Sequence, residues 1–166
     1  MYHILFVCYG NICRSPMAEM IFKDLVYHNN KKFLFDCESR ATSMEEIGNP
    51  IYPKAIKVLE KHQVTIEKHV AKRIQKDDYK KFDYIIGMDQ QNYDDLVRFF
   101  EGDPKNKIKL LMSFTGKEEE IEDPWYTNRF EKVYGQIQEG CEALFHQLVD
   151  EYQNEANQTK NTFPID

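Results

Sequence analysis

The apolar run Ile4-Leu5-Phe6-Val7 ends on Cys8, and a helix opens only a few residues later at Ser15-Pro16. The run is short and β-branched at two of its four positions, so it reads as a buried strand. Pro16 fits a first helical residue with Ser15 as N-cap, and Met17, Met20, Ile21 and Leu25 recur at helical spacing. A strand that passes through a tight loop directly into a helix is the opening unit of an alternating α/β chain. The loop, Tyr9 to Arg14, is where its chemistry concentrates.

A helix N-terminus presents unpaired backbone N–H groups and about half a positive charge, which together attract an anion. Gly10 is expected to let the loop take positive φ angles and turn successive N–H groups inward, and Asn11 tolerates a left-handed turn. Arg14 adds a planar fork that can hold two oxygens of a phosphoryl group. The same surroundings favour Cys8 as a thiolate, with the Ser15 hydroxyl as a donor to its sulfur. A structural cysteine with an unrelated surface arginine is the bland alternative.

Further along, Phe33-Leu34-Phe35 with Cys37 suggests a second strand, followed by a loop through Ser39 to Ser43. Pro53 opens a second helix that places Ala55, Ile56, Val58 and Leu59 inward. Phe82 to Met88 is the clearest central strand, Asp89 to Phe99 has helical spacing, and Ile108 to Met112 supplies a fourth strand. From Arg129 to Tyr152, apolar residues at three- and four-residue intervals predict a long amphipathic helix. Residues 1–154 are expected to form one domain, and 155–166 a flexible polar tail. The alternation predicts a three-layer α/β sandwich, a four-stranded parallel sheet flanked by helices on both faces. Ligands bind such sheets beyond the carboxyl ends of the strands, where the Cys8 loop lies.

Net charge bears on partners. At −6 over 166 residues, with lysines 31, 32, 68, 72, 76, 80 and 81 spread along the surface, the chain is not expected to bind nucleic acid. No run is long and apolar enough to span a membrane and no secretory leader is evident, so a cytoplasmic enzyme without membrane association is expected. The four cysteines, 8, 13, 37 and 141, show no metal-ligand spacing, and neither a metal nor a cofactor is expected. Cys37 and Cys141 read as small core residues.

The segment Val7-Cys8-Tyr9-Gly10-Asn11-Ile12-Cys13-Arg14-Ser15-Pro16-Met17-Ala18-Glu19 resembles the phosphate-binding loop of the low-molecular-weight protein tyrosine phosphatases, with Tyr9 where the family usually has Leu. The resemblance covers residues 2–148 and implies strand order 2-1-3-4. It implies a metal-independent hydrolysis of phosphotyrosine in proteins through a phosphocysteine on Cys8, with Arg14 and the loop N–H groups of residues 9–14 around the phosphate or a similar oxyanion. Asp123, in Glu122-Asp123-Pro124-Trp125-Tyr126, resembles the family's general acid and base, and Pro124 holds it extended.

By the same resemblance Trp125 and Tyr126 form one wall of the substrate cleft, with Tyr9 on the loop's outer rim. Glu45 is expected at the opposite rim of the cleft, in Met44-Glu45-Glu46, a loop where the family often has an aromatic residue. Asn11 and Ser15 support Cys8, and His69 and Ser43 resemble two further supporting residues. Ile12 has the form found in tyrosine phosphatases, whereas related bacterial phosphoarginine phosphatases carry Thr there. Cys13 invites a reversible disulfide with Cys8. Asp89 reads as a helix N-cap. Thioredoxin-coupled arsenate reductases share the fold but place extra cysteines after the third strand, and Gly87 to Tyr93 has none. A non-catalytic phosphotyrosine-binding module would have lost Cys8 or Asp123, and both are present.

Overall fold

Two burial patterns build the sheet in this computed structural model, which describes residues 1–162 and the side chains of residues 1–160. Strand β1 (Tyr2–Cys8) is buried without a break from Ile4 to Cys8, as a strand covered on both faces must be. Strand β2 (Phe35–Ala41) alternates instead. Phe35, Cys37, Ser39 and Ala41 turn inward, while Asp36, Glu38 and Arg40 lie on the more open side. With β3 (Tyr84–Gly87) and β4 (Ile108–Leu110) they form a sheet of order β2-β1-β3-β4. Every adjacent pair is parallel.

The helices are α1 (Arg14–His28), α2 (Pro53–Lys61), the short α3 (Asp78–Lys81), α4 (Gln90–Phe99), the one-turn α5 (Pro124–Thr127) and α6 (Phe130–Thr162). The alternation of β1 feeds two cores. Ile4, Phe6 and Cys8 share one with Phe22 of α1, Leu59 of α2 and Leu144 of α6. Leu5 and Val7 share the other with Ile85, Phe82 and Leu96 of α4. This is the expected three-layer sandwich, in the strand order that the resemblance implied. No helix among the described residues is long and apolar enough to cross a membrane.

Several boundaries differ from expectation. The second strand starts at Phe35 and continues through Ala41, into what reads as loop. Its inward positions include Ser39 and Ala41, too small or polar to signal a strand, and Phe33 is 58% exposed. Helix α1 starts at Arg14, so Cys13 takes the N-cap position without a side-chain bond, and Ser15 is inside the first turn. The fourth strand ends at Leu110, and Leu111–Thr115 winds into a 3-10 turn. Helix α6 continues through residues 155–162 of the expected tail, because neither Gly nor Pro interrupts the chain between Gly140 and Pro164. Residues 163–166 lie outside the described residues.

Two glycines in α6 test the packing. A methyl at Gly140 would stand 2.6 Å from the Leu111 Cγ branch point, whereas one at Gly135 meets nothing within 4 Å. Gly135→Ala is expected to stabilise by about 0.5–1 kcal/mol through helix preference alone. Gly140→Ala is expected to destabilise by about 1–2 kcal/mol, since overpacking exceeds that gain. Urea unfolding midpoints of the two variants should therefore move in opposite directions.

Candidate active site

Strand β1 brings Cys8 to the carboxyl edge of the sheet, and α1 begins at Arg14, so Tyr9 to Cys13 must turn tightly between them. Asn11 makes that turn with φ 60°, in the left-handed region that Asn tolerates better than most residues. Gly10 is not among the positive-φ glycines, which corrects its expected role. A Cβ there would lie 3.4 Å from Glu46 Cγ, so what glycine permits is the close approach of a neighbouring loop. Among the described residues, none accepts a hydrogen bond from the N–H groups of Gly10, Ile12, Cys13 or Arg14. They remain free for an anion at the start of α1.

Cys8 is 3% exposed. Its sulfur receives the N–H groups of Asn11 at 3.3 Å and Ser15 at 3.4 Å, and lies 3.0 Å from Ser15 Oγ. Asn11 Nδ2 donates to Ser15 Oγ at 2.7 Å, and the hydroxyl proton can turn to the sulfur or to the Arg40 carbonyl at 3.5 Å. A thiolate at Cys8 can only accept, so in that form the hydroxyl donates to it. Three donors thus converge on Cys8, the arrangement that stabilises a thiolate.

Asn11 is anchored on every side. Nδ2 also donates to Ser39 Oγ at 3.0 Å, Oδ1 accepts from Lys72 N at 3.0 Å, and the backbone carbonyl accepts from His69 Nε2 at 3.0 Å. That bond fixes the His69 tautomer, because a carbonyl can only accept. Ser39 in turn donates to Glu19 Oε1 at 2.6 Å, and the other oxygen of Glu19 pairs with Lys23 at 2.6 Å. Glu19, 7% exposed, is a buried carboxylate two bonds behind the loop. Ser39 and Glu19 were not expected as site residues. The available signal was Glu19 itself, an acid placed among Met17, Ala18, Met20 and Ile21 on the buried part of α1.

Arg14 is 2% exposed. Nη1 donates to Asp89 Oδ2 at 2.6 Å and to the Ile121 carbonyl at 2.9 Å, while Nη2 stands 3.6 Å from Asp123 Oδ2. Burial works against its charge, but Cys8, Asp89 and Asp123 outweigh it and hold the guanidinium above its ordinary pKa. Asp89 has two tasks. Its Oδ1 accepts from Asn92 N at 2.8 Å as the N-cap of α4, and its other oxygen orients Arg14.

The two acids before Pro124 part company. Glu122 points away toward Lys132 and Arg129, at 2.7 and 2.8 Å. Its bonds to Lys132, Thr127 and Arg129 hold its pKa down to about 2. Asp123 caps α5 through Oδ1, which accepts from Trp125 N at 3.0 Å, and lines the cleft. The cleft is also lined by Cys8 and the loop through Arg14, by Glu45, and by Trp125 and Tyr126. The Trp125 ring rests 5.0 Å from that of Tyr52, and Tyr126 is 81% exposed. Ile12 is buried at the cleft floor, and burial pushes the Cys13 thiol up, with Cys8 adding to the shift. Ser43 sits on the rim. It bonds the Tyr9 carbonyl at 2.8 Å and makes no bond to Cys8 or to the Asn11 side chain.

The model of the family described as low molecular weight phosphotyrosine protein phosphatase matches residues 3–154. The chicken (Gallus gallus) protein of that name is 42% identical over 146 residues, 85% of this chain and 92% of its own. YfkJ from Bacillus subtilis superposes with a TM-score of 0.88 at 34% identity, over 91% of this chain and 96% of its own. A Drosophila arginine phosphatase superposes with a TM-score of 0.79, also at 34% identity, over 87% and 96%. A buried cysteine ringed by donors, with an arginine and an aspartate across one cleft, is thus found on a chain matched along nearly its whole length. The chain belongs to the low molecular weight phosphotyrosine protein phosphatase family.

Proposed function

We propose that this chain hydrolyses phosphotyrosine in proteins by two in-line displacements at phosphorus, without a metal. The observation that carries the reading is the convergence of Cys8, Arg14 and Asp123 on a single cleft. In the first step the Cys8 thiolate forms an S–P bond as the P–O bond to the tyrosyl oxygen breaks, and Asp123 gives its proton to the departing phenolate. In the second, Asp123 takes a proton from water, the resulting hydroxide attacks phosphorus, and the S–P bond breaks to return the thiolate and release inorganic phosphate. Arg14 and the free N–H groups of the loop neutralise the charge on the equatorial oxygens throughout. Glu122 is unsuited to the acid role, since it is held ionised and faces elsewhere.

Trp125 and Tyr126 supply one wall for the aryl ring. The likeness to an arginine phosphatase raises a second substrate, phosphoarginine. The apolar Ile12 at the cleft floor favours the aryl ester over that cationic group. A cytoplasmic setting suits the reading, because a nucleophilic thiol needs reducing surroundings. Freshly reduced protein in EDTA is expected to hydrolyse phosphotyrosine peptides faster than phosphoserine or phosphoarginine ones in kcat/KM. Faster release from phosphoarginine would transfer the reading to that substrate, and no release from any of the three would end it.

A further inference from the structure

The rim of the cleft is fastened in a way that none of these steps requires. Ser43 N and Ser43 Oγ both donate to the Tyr9 carbonyl, at 3.1 and 2.8 Å, and the Tyr9 hydroxyl donates to Glu45 Oε1 at 2.6 Å. Glu45 N in turn donates to Ser43 Oγ at 3.4 Å. One residue on, Glu46 lies against Gly10 and accepts from Asn49 Nδ2 at 2.7 Å. An exposed glutamate ordinarily sweeps several rotamers. Here Tyr9 holds Glu45 across the mouth of the cleft, and the bond keeps the Tyr9 proton in place, raising its pKa.

Charge along the cleft is therefore layered. Of its lining residues the one cation is Arg14, buried at the floor and tied to Asp89, whereas Glu45 and Glu46 stand at the rim. The floor suits a phosphate dianion, and the rim repels whatever acidic groups flank it. Two arginines line a separate groove with Tyr9, and a third, Arg129, is paired at 2.8 Å with Glu122 beside Asp123. Arg73 donates to the Thr42 carbonyl at 3.3 Å and Arg98 pairs with Asp95 at 3.3 Å.

Resting on the phosphatase reading above, we propose that the Tyr9–Glu45 pair is a specificity strap, which selects phosphotyrosines flanked by lysine or arginine over those flanked by aspartate or glutamate. The pair adds no chemistry to phosphoryl transfer. It fixes one carboxylate where a residue next to the phosphotyrosine must pass. A proteinaceous substrate with a basic segment around its tyrosine is the partner this surface fits.

The test compares two phosphotyrosyl peptides of equal length, one with Lys and Arg flanks and one with Asp and Glu flanks. Wild type is expected to favour the basic peptide by about fivefold or more in kcat/KM at low salt, the upper range for one exposed ion pair. The preference should lie in KM and shrink as salt rises. Glu45→Gln keeps an acceptor for Tyr9 while removing the charge, so the ratio should fall by at least about threefold on the same scale. Tyr9→Phe leaves the charge but releases it, giving an intermediate ratio. Ratios taken within each variant cancel any general loss of activity. No preference in wild type, or an unchanged ratio in Glu45→Gln, would overturn the strap, and a preference for the acidic peptide would move recognition to the Arg73 groove. Turnover of p-nitrophenyl phosphate by wild type, which involves no flanking residue, reports the phosphatase reading separately.

Discussion

Cys8→Ser is expected to remove phosphotyrosine turnover almost entirely, by about four orders of magnitude or more. The expectation follows from where the donors point. The N–H groups of Asn11 and Ser15 and the hydroxyl of Ser15 all lie within 3.4 Å of the sulfur. They stabilise a negative charge that a thiol can carry near neutral pH and an alkanol cannot. The substitution changes one buried atom and leaves Arg14 bonded to Asp89 and Ile121, with the loop N–H groups free. Binding should therefore survive. Titration calorimetry with a phosphotyrosyl peptide is expected to give a dissociation constant close to the wild-type KM, while a radiolabelled substrate leaves label on acid-quenched wild type and none on Cys8→Ser. Label on the serine variant would place the nucleophile elsewhere.

The division between what was legible in the chain and what was not follows distance in sequence. Cys8, Asn11, Arg14 and Ser15 lie within one turn of chain, and strand, loop and helix each leave a local signature, so the loop could be read directly. The parallel sheet was legible for the same reason, since the alternation of apolar runs is local. Asp123 lies more than a hundred residues away, and only the resemblance singled it out from any other Asp-Pro turn. Ser39, Glu19 and the second task of Asp89 escaped notice because each acts through a partner in another element. Ser39 reaches Asn11 from the neighbouring strand β2, and Asp89 reaches Arg14 from the start of α4, just after β3. Nothing in a β2 sequence that alternates charged and small residues distinguishes a serine facing a catalytic loop from one facing any helix. Tyr9 and Glu45 illustrate the same limit. They lie 36 residues apart, and only the fold shows that they meet.

Asp123→Asn is expected to lower kcat for phosphotyrosine by about a hundred- to ten-thousandfold, the usual range for a general acid. Asparagine is the informative substitution because its Oδ1 can still accept from Trp125 N, so α5 keeps its cap and the cleft wall stays in place. What is lost is the proton. The phenolate of tyrosine has a conjugate acid of pKa about 10 and leaves poorly without one. p-Nitrophenolate is a far weaker base, so its expulsion should be slowed much less. The asymmetry has a second consequence. In the proposed cycle Asp123 is also the base that activates water, so in Asp123→Asn the phosphocysteine is expected to form quickly from p-nitrophenyl phosphate but break down slowly. Rapid-mixing traces are then expected to show a burst of p-nitrophenol approaching one equivalent per active site, followed by a slow steady rate. Glu122→Gln provides the contrast, because its carboxylate faces Lys132 and Arg129 outside the cleft. That variant should keep near wild-type turnover with both substrates. Equal slowing of both substrates by Asp123→Asn, with no burst, would mean that the carboxylate positions Arg14 rather than moving a proton. The 3.6 Å separation of Asp123 from Nη2 then becomes the contact to remove next.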